Sequence, residues 1–213
     1  ERARALQKTK PKALAAVKAG TMTLSQALRA EKKAALQQRV SLPDAKYRVL
    51  YADPPWSYND KADEGAIQSG GAERHYPALT IPQLCELSVE AICEPDAVLF
   101  LWVTSPLLFE CAPVIKAWGF SYRASYVWWK QAHNMGHYNS VQHEFLLVCT
   151  RGSGVPDVTT QISSVQAIPR TAHSVKPDEF RTIIDTLYPY GKRIELFARG
   201  ASTPGWVTWG NEA

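Results

Sequence analysis

From Tyr47 onward the chain alternates short apolar runs with polar or amphipathic stretches, the rhythm of an α/β fold. Tyr47 to Ala52 (YRVLYA) predicts a buried strand. Ala97 to Val103 (AVLFLWV) is a continuous apolar run and predicts a central one. The aromatic and β-branched residues from Phe120 to Lys130 predict a strand, as do Glu144 to Cys149 and Arg193 to Ala198 (RIELFA). Helix signals fall between them. Thr80 before Ile81-Pro82 predicts an N-cap and a helix to about Cys93. Ser105-Pro106 opens another, closed by Gly119, and Lys176-Pro177-Asp178-Glu179 opens a third that runs to about Leu187. Residues 57–79 and 131–142 are polar without a period and predict loops.

The pattern before Pro43 is different. Residues 1–46 are rich in Ala, Lys and Gln, with Ala13, Leu14 and Val17 on one helical face that Gly20 ends. Thr23 reads as an N-cap for a second helix carrying Leu24, Ala27, Leu28 and Ala35. Two short helices around a turn resemble a helix-turn-helix only weakly, and they hold too little apolar area to fold alone. The expected organisation is therefore a basic helical arm or linker, 1–46, ahead of an α/β domain, 47–213. A start at Glu1 rather than Met fits a piece of a longer chain.

Charge sharpens this division. Residues 1–46 hold 11 Lys+Arg against 3 Asp+Glu, a balance of +8, whereas the remainder holds 13 against 17, a balance of −4. A solvated helical face and an arm that meets phosphates are both consistent with such a patch. The 46% hydrophobic and 21% charged residues are ordinary for a soluble protein. No run approaches the roughly 20 apolar residues of a membrane span, and no secretory signal is visible. Cys85, Cys93, Cys111 and Cys149 form no CxxC pair and sit in apolar stretches, which predicts reduced thiols and a cytoplasmic protein. The five histidines show no metal-ligand spacing, so no metal is expected.

Chemistry enters with Asp53-Pro54-Pro55-Trp56, directly after the first strand. An adenine amino group is a poor nucleophile because its lone pair is delocalised into the ring. A carboxylate accepting one N–H and a carbonyl accepting the other favour the pyramidal, nucleophilic form. Asp53 can supply the carboxylate. Pro54 can supply the carbonyl, held rigidly because proline fixes φ and Pro55 restricts the residue before it. Trp56 offers a flat face for the base, and a strand's carboxyl end is where open α/β sheets bind ligands. An isolated DPP would read equally well as a Pro-rich turn.

The motif does not stand alone. YADPPW at 51–56, HYPALT at 75–80, LFLWVTS at 99–105, His143-Glu144, HSVKPDE at 173–179, RIELFAR at 193–199 and GWVTWGNE at 205–212 follow one another in a fixed order. Over about residues 47 to 212 the chain thereby resembles the catalytic subunit family of mRNA N6-adenosine methyltransferases, which has bacterial and phage relatives. The resemblance implies a seven-stranded, Rossmann-like, S-adenosylmethionine-dependent methyltransferase sheet with helices on both faces. It implies that Asp53 contacts both the target amino group and the methionine part of S-adenosylmethionine. Lys176 matches the lysine that binds the cofactor carboxylate, Arg199 a residue near its ribose, and Asn211 the asparagine near its adenosine end. Glu212 stands where the family has Gln and can still accept from a ribose hydroxyl. A lysine at a helix start opposes the helix dipole, which argues against a purely structural Lys176.

Other positions are weaker candidates. His75 and Tyr76 are read as contacts to the substrate base or its backbone, against a plain loop role. His143 is expected to make a structural hydrogen bond. His133, His137, Lys130 and Tyr138 could grip a nucleic-acid strand from the 131–142 loop. Trp128 and Trp129 alternate faces, so one ring should be core and the other should face the site. The sequence departs from the family after Arg199, where Ala201 and Ser202 replace the usual histidine and asparagine. The expected activity is S-adenosylmethionine-dependent methylation of adenine N6 in DNA. The alternatives are the same reaction on RNA, or a non-catalytic nucleic-acid-binding subunit of the same fold. Nucleic acid is the expected partner, with no membrane, and a homo-oligomer is left open.

Overall fold

Among the residues that the computed structural model describes (Thr23, 41–58, 78–134, 138–171, 175–198 and 203–210), seven strands make one mixed sheet. They are β1 Tyr47–Ala52, β2 Cys93–Val103, β3 Ser121–Asn134, β4 Val141–Arg151, β5 Val165–Ala167, β6 Arg193–Leu196 and β7 Trp206–Trp209. Among the same described residues three α-helices accompany them: α1 Ile81–Cys85, α2 Ala112–Ala117 and α3 Asp178–Leu187. By its contacts the chain divides into Glu1–Ser41 and Leu42–Ala213. The sheet belongs to the second unit, and the paired helices expected within 1–46 lie outside the described residues.

Across the sheet the order is β5-β3-β4-β2-β1-β6-β7. β1 pairs in parallel with β2 on one side and β6 on the other. β4 runs antiparallel to both of its neighbours, β2 and β3. Alternation along the central strands feeds two cores. Val49, Tyr51, Val98, Phe100 and Trp102 join Trp128 and Leu146 beneath the α3 residues Phe180, Ile183, Ile184 and Leu187. The alternate positions Leu50, Leu99 and Leu101 point the other way and are equally buried. On that face Trp118 donates its indole N–H to the Leu84 carbonyl at 2.9 Å and stacks on Phe197, so it ties α1 to α2. The arrangement is the α/β, Rossmann-like sheet with helices on both faces that the resemblance implies.

Several element boundaries differ from the sequence reading. The helix expected from Ile81 to about Cys93 stops at Cys85, although Thr80 caps it with a full capping box involving Gln83. A 3₁₀ turn, Val89–Ile92, follows, and Cys93 already pairs with Tyr47 in β2, so sheet pairing overrides helix propensity. The helix expected between Ser105 and Gly119 splits into a 3₁₀ turn, Ser105–Leu107, and α2. Pro113 explains the split. Inside a continuous helix it would lose an N–H bond and clash one turn back, whereas at the first turn of α2 it costs nothing. Gly119 closes this segment as expected, at φ 81°.

The 131–142 loop is mostly a β-hairpin, since β3 extends to Asn134 and β4 begins at Val141. Polar cross-strand pairs hold it: Trp129 to Gln142, and His133 to Ser140 at 2.9 Å. The last expected strand ends at Leu196, because Phe197 turns the chain at φ 63°. The short strands β5 and β7 were not anticipated. All four cysteines are free, and burial pushes the Cys93 and Cys111 thiols up to about 11 and Cys149 to about 12. Thiols so raised are not nucleophiles at neutral pH. No described helix is long and apolar enough to cross a membrane.

Candidate active site

From β1 the chain goes on to β2 on one side, and from the neighbouring parallel strand β6 it goes on to β7 on the other, so it leaves these two adjacent strands toward opposite edges of the sheet. Such a switch point opens a crevice beyond the carboxyl ends of the strands. Asp53 is the first residue past β1 and stands in that crevice, partly buried. The turn after it is fixed by backbone pairing. The Leu79 N–H donates to the Pro55 carbonyl at 2.7 Å, and the Ser57 N–H donates to the Leu79 carbonyl at 2.9 Å. The two chain segments flanking 59–77 are thus pinned together beside the motif.

Charged side chains from four elements converge here. Lys176, just ahead of α3, places Nζ 3.0 Å from Asp53 Oδ2 and 3.3 Å from Glu144 Oε2. Glu144 lies near the start of β4, and its other oxygen accepts from Lys130 in β3. The Lys176 ammonium also lies 5.3 Å from the centre of the Trp102 ring, and that of Lys130 lies 5.1 Å from the Trp128 ring. The order Lys130–Glu144–Lys176–Asp53 alternates sign and sums to zero. The side chains are only 9–19% exposed, so these ion pairs are poorly screened by solvent. Burial alone would raise the Glu144 carboxyl, but the ammonium groups of Lys176 and Lys130 overcome it and hold the group below its usual range. Burial would likewise lower Lys176, and the carboxylates of Asp53 and Glu144 reverse that and raise it.

The rest of the motif is locked into the wall. Pro54 is buried, and its carbonyl accepts from the Trp56 N–H at 2.8 Å, which leaves one lone pair for another donor. Pro55 is partly buried. Trp56 was expected to lend an open ring face to a base. It is 7% exposed, and its indole N–H donates to the Trp102 carbonyl at 2.9 Å, so the ring braces the motif against β2. Beneath the crevice, Tyr51 accepts from the Trp102 indole at 2.7 Å, and Arg181 lies over the Tyr51 ring while pairing with Glu195.

Of the residues expected from the sequence, Asp53 and Lys176 are brought into contact. Arg199, Asn211, Glu212, His75, Tyr76 and His137 lie outside the described residues. The chain that leads into two of them is described. Ala198 and Gly210 stand side by side, with the Ala198 N–H donating to Trp209 at 3.1 Å. A Cβ on Gly210 would lie 2.4 Å from the Ala198 carbonyl oxygen, so only glycine permits this approach. His143 makes the expected structural contact, with Ser105 at 3.3 Å. Trp128 is core, and Trp129 is 43% exposed on the hairpin. Sequence reasoning gave Glu144 no role at the site and read Lys130 as able to grip a nucleic-acid strand, whereas Lys130 is 7% exposed and pairs with Glu144. The signal for both was a charged residue within each of two strands that pair there, with Trp128 opposite Glu144.

Comparison with known proteins covers this same region. The sequence profile of the MT-A70 family matches residues 47–212. The chain is 36% identical over 186 residues to the type II methyltransferase M.MunI of a Mycoplasma species, spanning 80% of this chain and 79% of that protein. It is 29% identical over 181 residues to an N(6)-adenosine-methyltransferase MT-A70-like protein of Drosophila melanogaster. It is 28% identical over 178 residues to the N(6)-adenosine-methyltransferase catalytic subunit METTL3 of Homo sapiens. Each of these two matches spans 78% of this chain but only 27% and 28% of the relative.

Proposed function

The chain belongs to the MT-A70 family of methyltransferases, and on that premise we propose that it transfers a methyl group from S-adenosylmethionine to the N6 amino group of adenine in DNA. The observation that carries this reading is Asp53 at the switch point of the sheet, paired with Lys176 at 3.0 Å. In the reaction, Asp53 accepts one amino N–H and the remaining lone pair of the Pro54 carbonyl accepts the other. Both acceptors are rigid, one at a strand end and one between two prolines, so they hold the nitrogen with its lone pair turned out of the ring plane. The proton that the nitrogen sheds on methylation has the Asp53 carboxylate as its acceptor.

S-adenosylmethionine supplies an electrophilic methyl group on a sulfonium. The donor set suits it. Lys176 already binds two carboxylates, so its ammonium fits the methionine carboxylate as well. We assign Arg199, Asn211 and Glu212 to the ribose and adenosine end, and His75 and Tyr76 to the substrate. Trp56 braces the motif.

DNA is favoured over RNA by the pattern of similarity. Identity is higher, and most of both chains is covered, for the type II methyltransferase, whereas the adenosine methyltransferases are matched over little more than a quarter of their length. The basic 1–46 segment supplies a phosphate-binding arm, and free thiols suit a cytoplasmic enzyme. The test is transfer of labelled methyl to matched deoxyribo- and ribo-oligonucleotides, with product identified as N6-methyladenine. Wild-type protein should label the DNA, and Asp53→Ala should lose on the order of 10²-fold or more in rate. Labelling of the RNA alone would overturn the DNA assignment, and an active Asp53→Ala would overturn the role of Asp53.

A further inference from the structure

Lys176 faces a conflict that its geometry resolves. Its ammonium pairs with Asp53, yet the proposed function needs Asp53 to receive an amino group and Lys176 to receive a cofactor carboxylate. Lys176 must therefore let go of Asp53 without leaving the crevice. Glu144 provides the second hold, at 3.3 Å from the same ammonium. Glu144 is itself anchored from behind by Lys130, one of the most buried charged groups among the described residues at 7% exposure. Lys130 extends from the same face of β3 as Trp128, whose ring backs it.

We propose that Glu144 is a positioning residue for Lys176: anchored by Lys130, it retains the ammonium in the crevice while Lys176 exchanges Asp53 for the cofactor carboxylate. This rests on the cofactor assignment above. Charge supports it. With Glu144 present the chain of four groups is neutral, and the cofactor carboxylate replaces one anion by another beside Lys176. With Glu144 neutral, Lys176 has Asp53 as its only carboxylate among these groups. The ammonium is then drawn onto Asp53, and the cofactor must compete for it. Loss of the Glu144 charge also strands the Lys130 ammonium in a buried place, a purely structural penalty that has to be separated from the positioning effect.

The experiment compares wild-type protein with Glu144→Gln and with Glu144→Gln/Lys130→Gln, in the full chain. Two quantities are read: the 15N resonance of the Lys176 ammonium, assigned with Lys176→Arg, and the calorimetric Kd for S-adenosylmethionine. Glu144→Gln should shift the resonance and weaken the cofactor roughly tenfold, the scale of coupling within one ion-pair network. The double variant removes the stranded charge, so it should regain melting temperature while the resonance and the Kd stay perturbed. An unchanged resonance and Kd in Glu144→Gln overturns the proposal. So does a double variant that recovers both along with its stability, since Glu144 would then be only a structural partner of Lys130. If wild-type protein fails to bind S-adenosylmethionine, the functional reading falls, and the Lys176 resonance alone decides on Glu144.

Discussion

Replacing Lys176 by methionine keeps most of the side-chain volume and removes one charge from the middle of the network. Two ion pairs go with it, at 3.0 Å to Asp53 and 3.3 Å to Glu144, and the group of four shifts from neutral to −1. Unscreened attraction over such distances at an effective dielectric near 20 is about 5 kcal/mol per pair, and most of it is offset by the desolvation that burial imposes. A net loss of about 1–3 kcal/mol in folding stability is therefore expected at neutral pH. The loss should depend on pH in a defined direction. The Glu144 carboxyl is depressed in the folded protein, so its contribution is present above its unfolded value and disappears as pH falls through its folded one. The Lys176 ammonium is raised, so its contribution is present below its unfolded value and disappears as pH rises through its folded one. Methionine titrates in neither range. The gap between wild type and Lys176→Met should thus be widest near neutrality and narrow below about pH 4 and above about pH 10. Urea denaturation at pH 4 and pH 7 measures the acid side, and calorimetry at pH 7 should show S-adenosylmethionine weakened by about 1–3 kcal/mol, roughly 5- to 150-fold. A stability gap that is flat with pH, together with a Kd within twofold of wild type, would refute the reasoning.

Trp118→Ala should cost about 3–5 kcal/mol, since the ring is fully buried, stacks on Phe197 and donates to Leu84; a midpoint shift below 1 kcal/mol in thermal or urea unfolding would show that α1 and α2 do not depend on it. Deletion of residues 1–40, which removes a strongly basic stretch from a chain whose remainder is acidic, should weaken DNA binding and flatten its salt dependence by about 0.9 in log–log slope per lost phosphate contact; identical slopes for the two proteins would show that the segment makes none.

The strands of the sheet's centre were legible because burial on both faces writes a continuous apolar run, as in YRVLYA and AVLFLWV. Their neighbours were legible in kind but not in length. β3 and β4 run on past the apolar stretch into Gln131, His133 and Gln142, and the side chains of His133 and Gln142 pair across the hairpin with Ser140 and Trp129 instead of burying themselves. Polar residues satisfied by cross-strand bonds carry no hydrophobic period, so they read as loop. β5 and β7 are short and take their identity from the strands beside them. Pro113 is the opposite case: a local signal sufficient to break a helix at the right place, and passed over because the surrounding residues favoured one.

At the site the same distinction separates what a residue type says from what its partner says. Asp53 announced itself because its DPPW follows an apolar strand and stands in order with six further motifs, where an isolated DPP would read equally well as a turn. Lys176 did so because a lysine before a helix works against the dipole. Glu144 carried no such contradiction. A glutamate beside a histidine at a strand start is an ordinary surface residue until β4 is set against β3, when Trp128 stands opposite it and Lys130 reaches it from the same face. Its meaning is a property of register, and register depends on a hairpin that the polarity of its own residues concealed. The network also explains how two carboxylates and two ammonium groups share a crevice that is less than one-fifth exposed. Alternation makes every charge the counter-ion of its neighbours, so no member is buried unpaired, and Lys176, which has two partners in the group, can exchange one while the other keeps it in place.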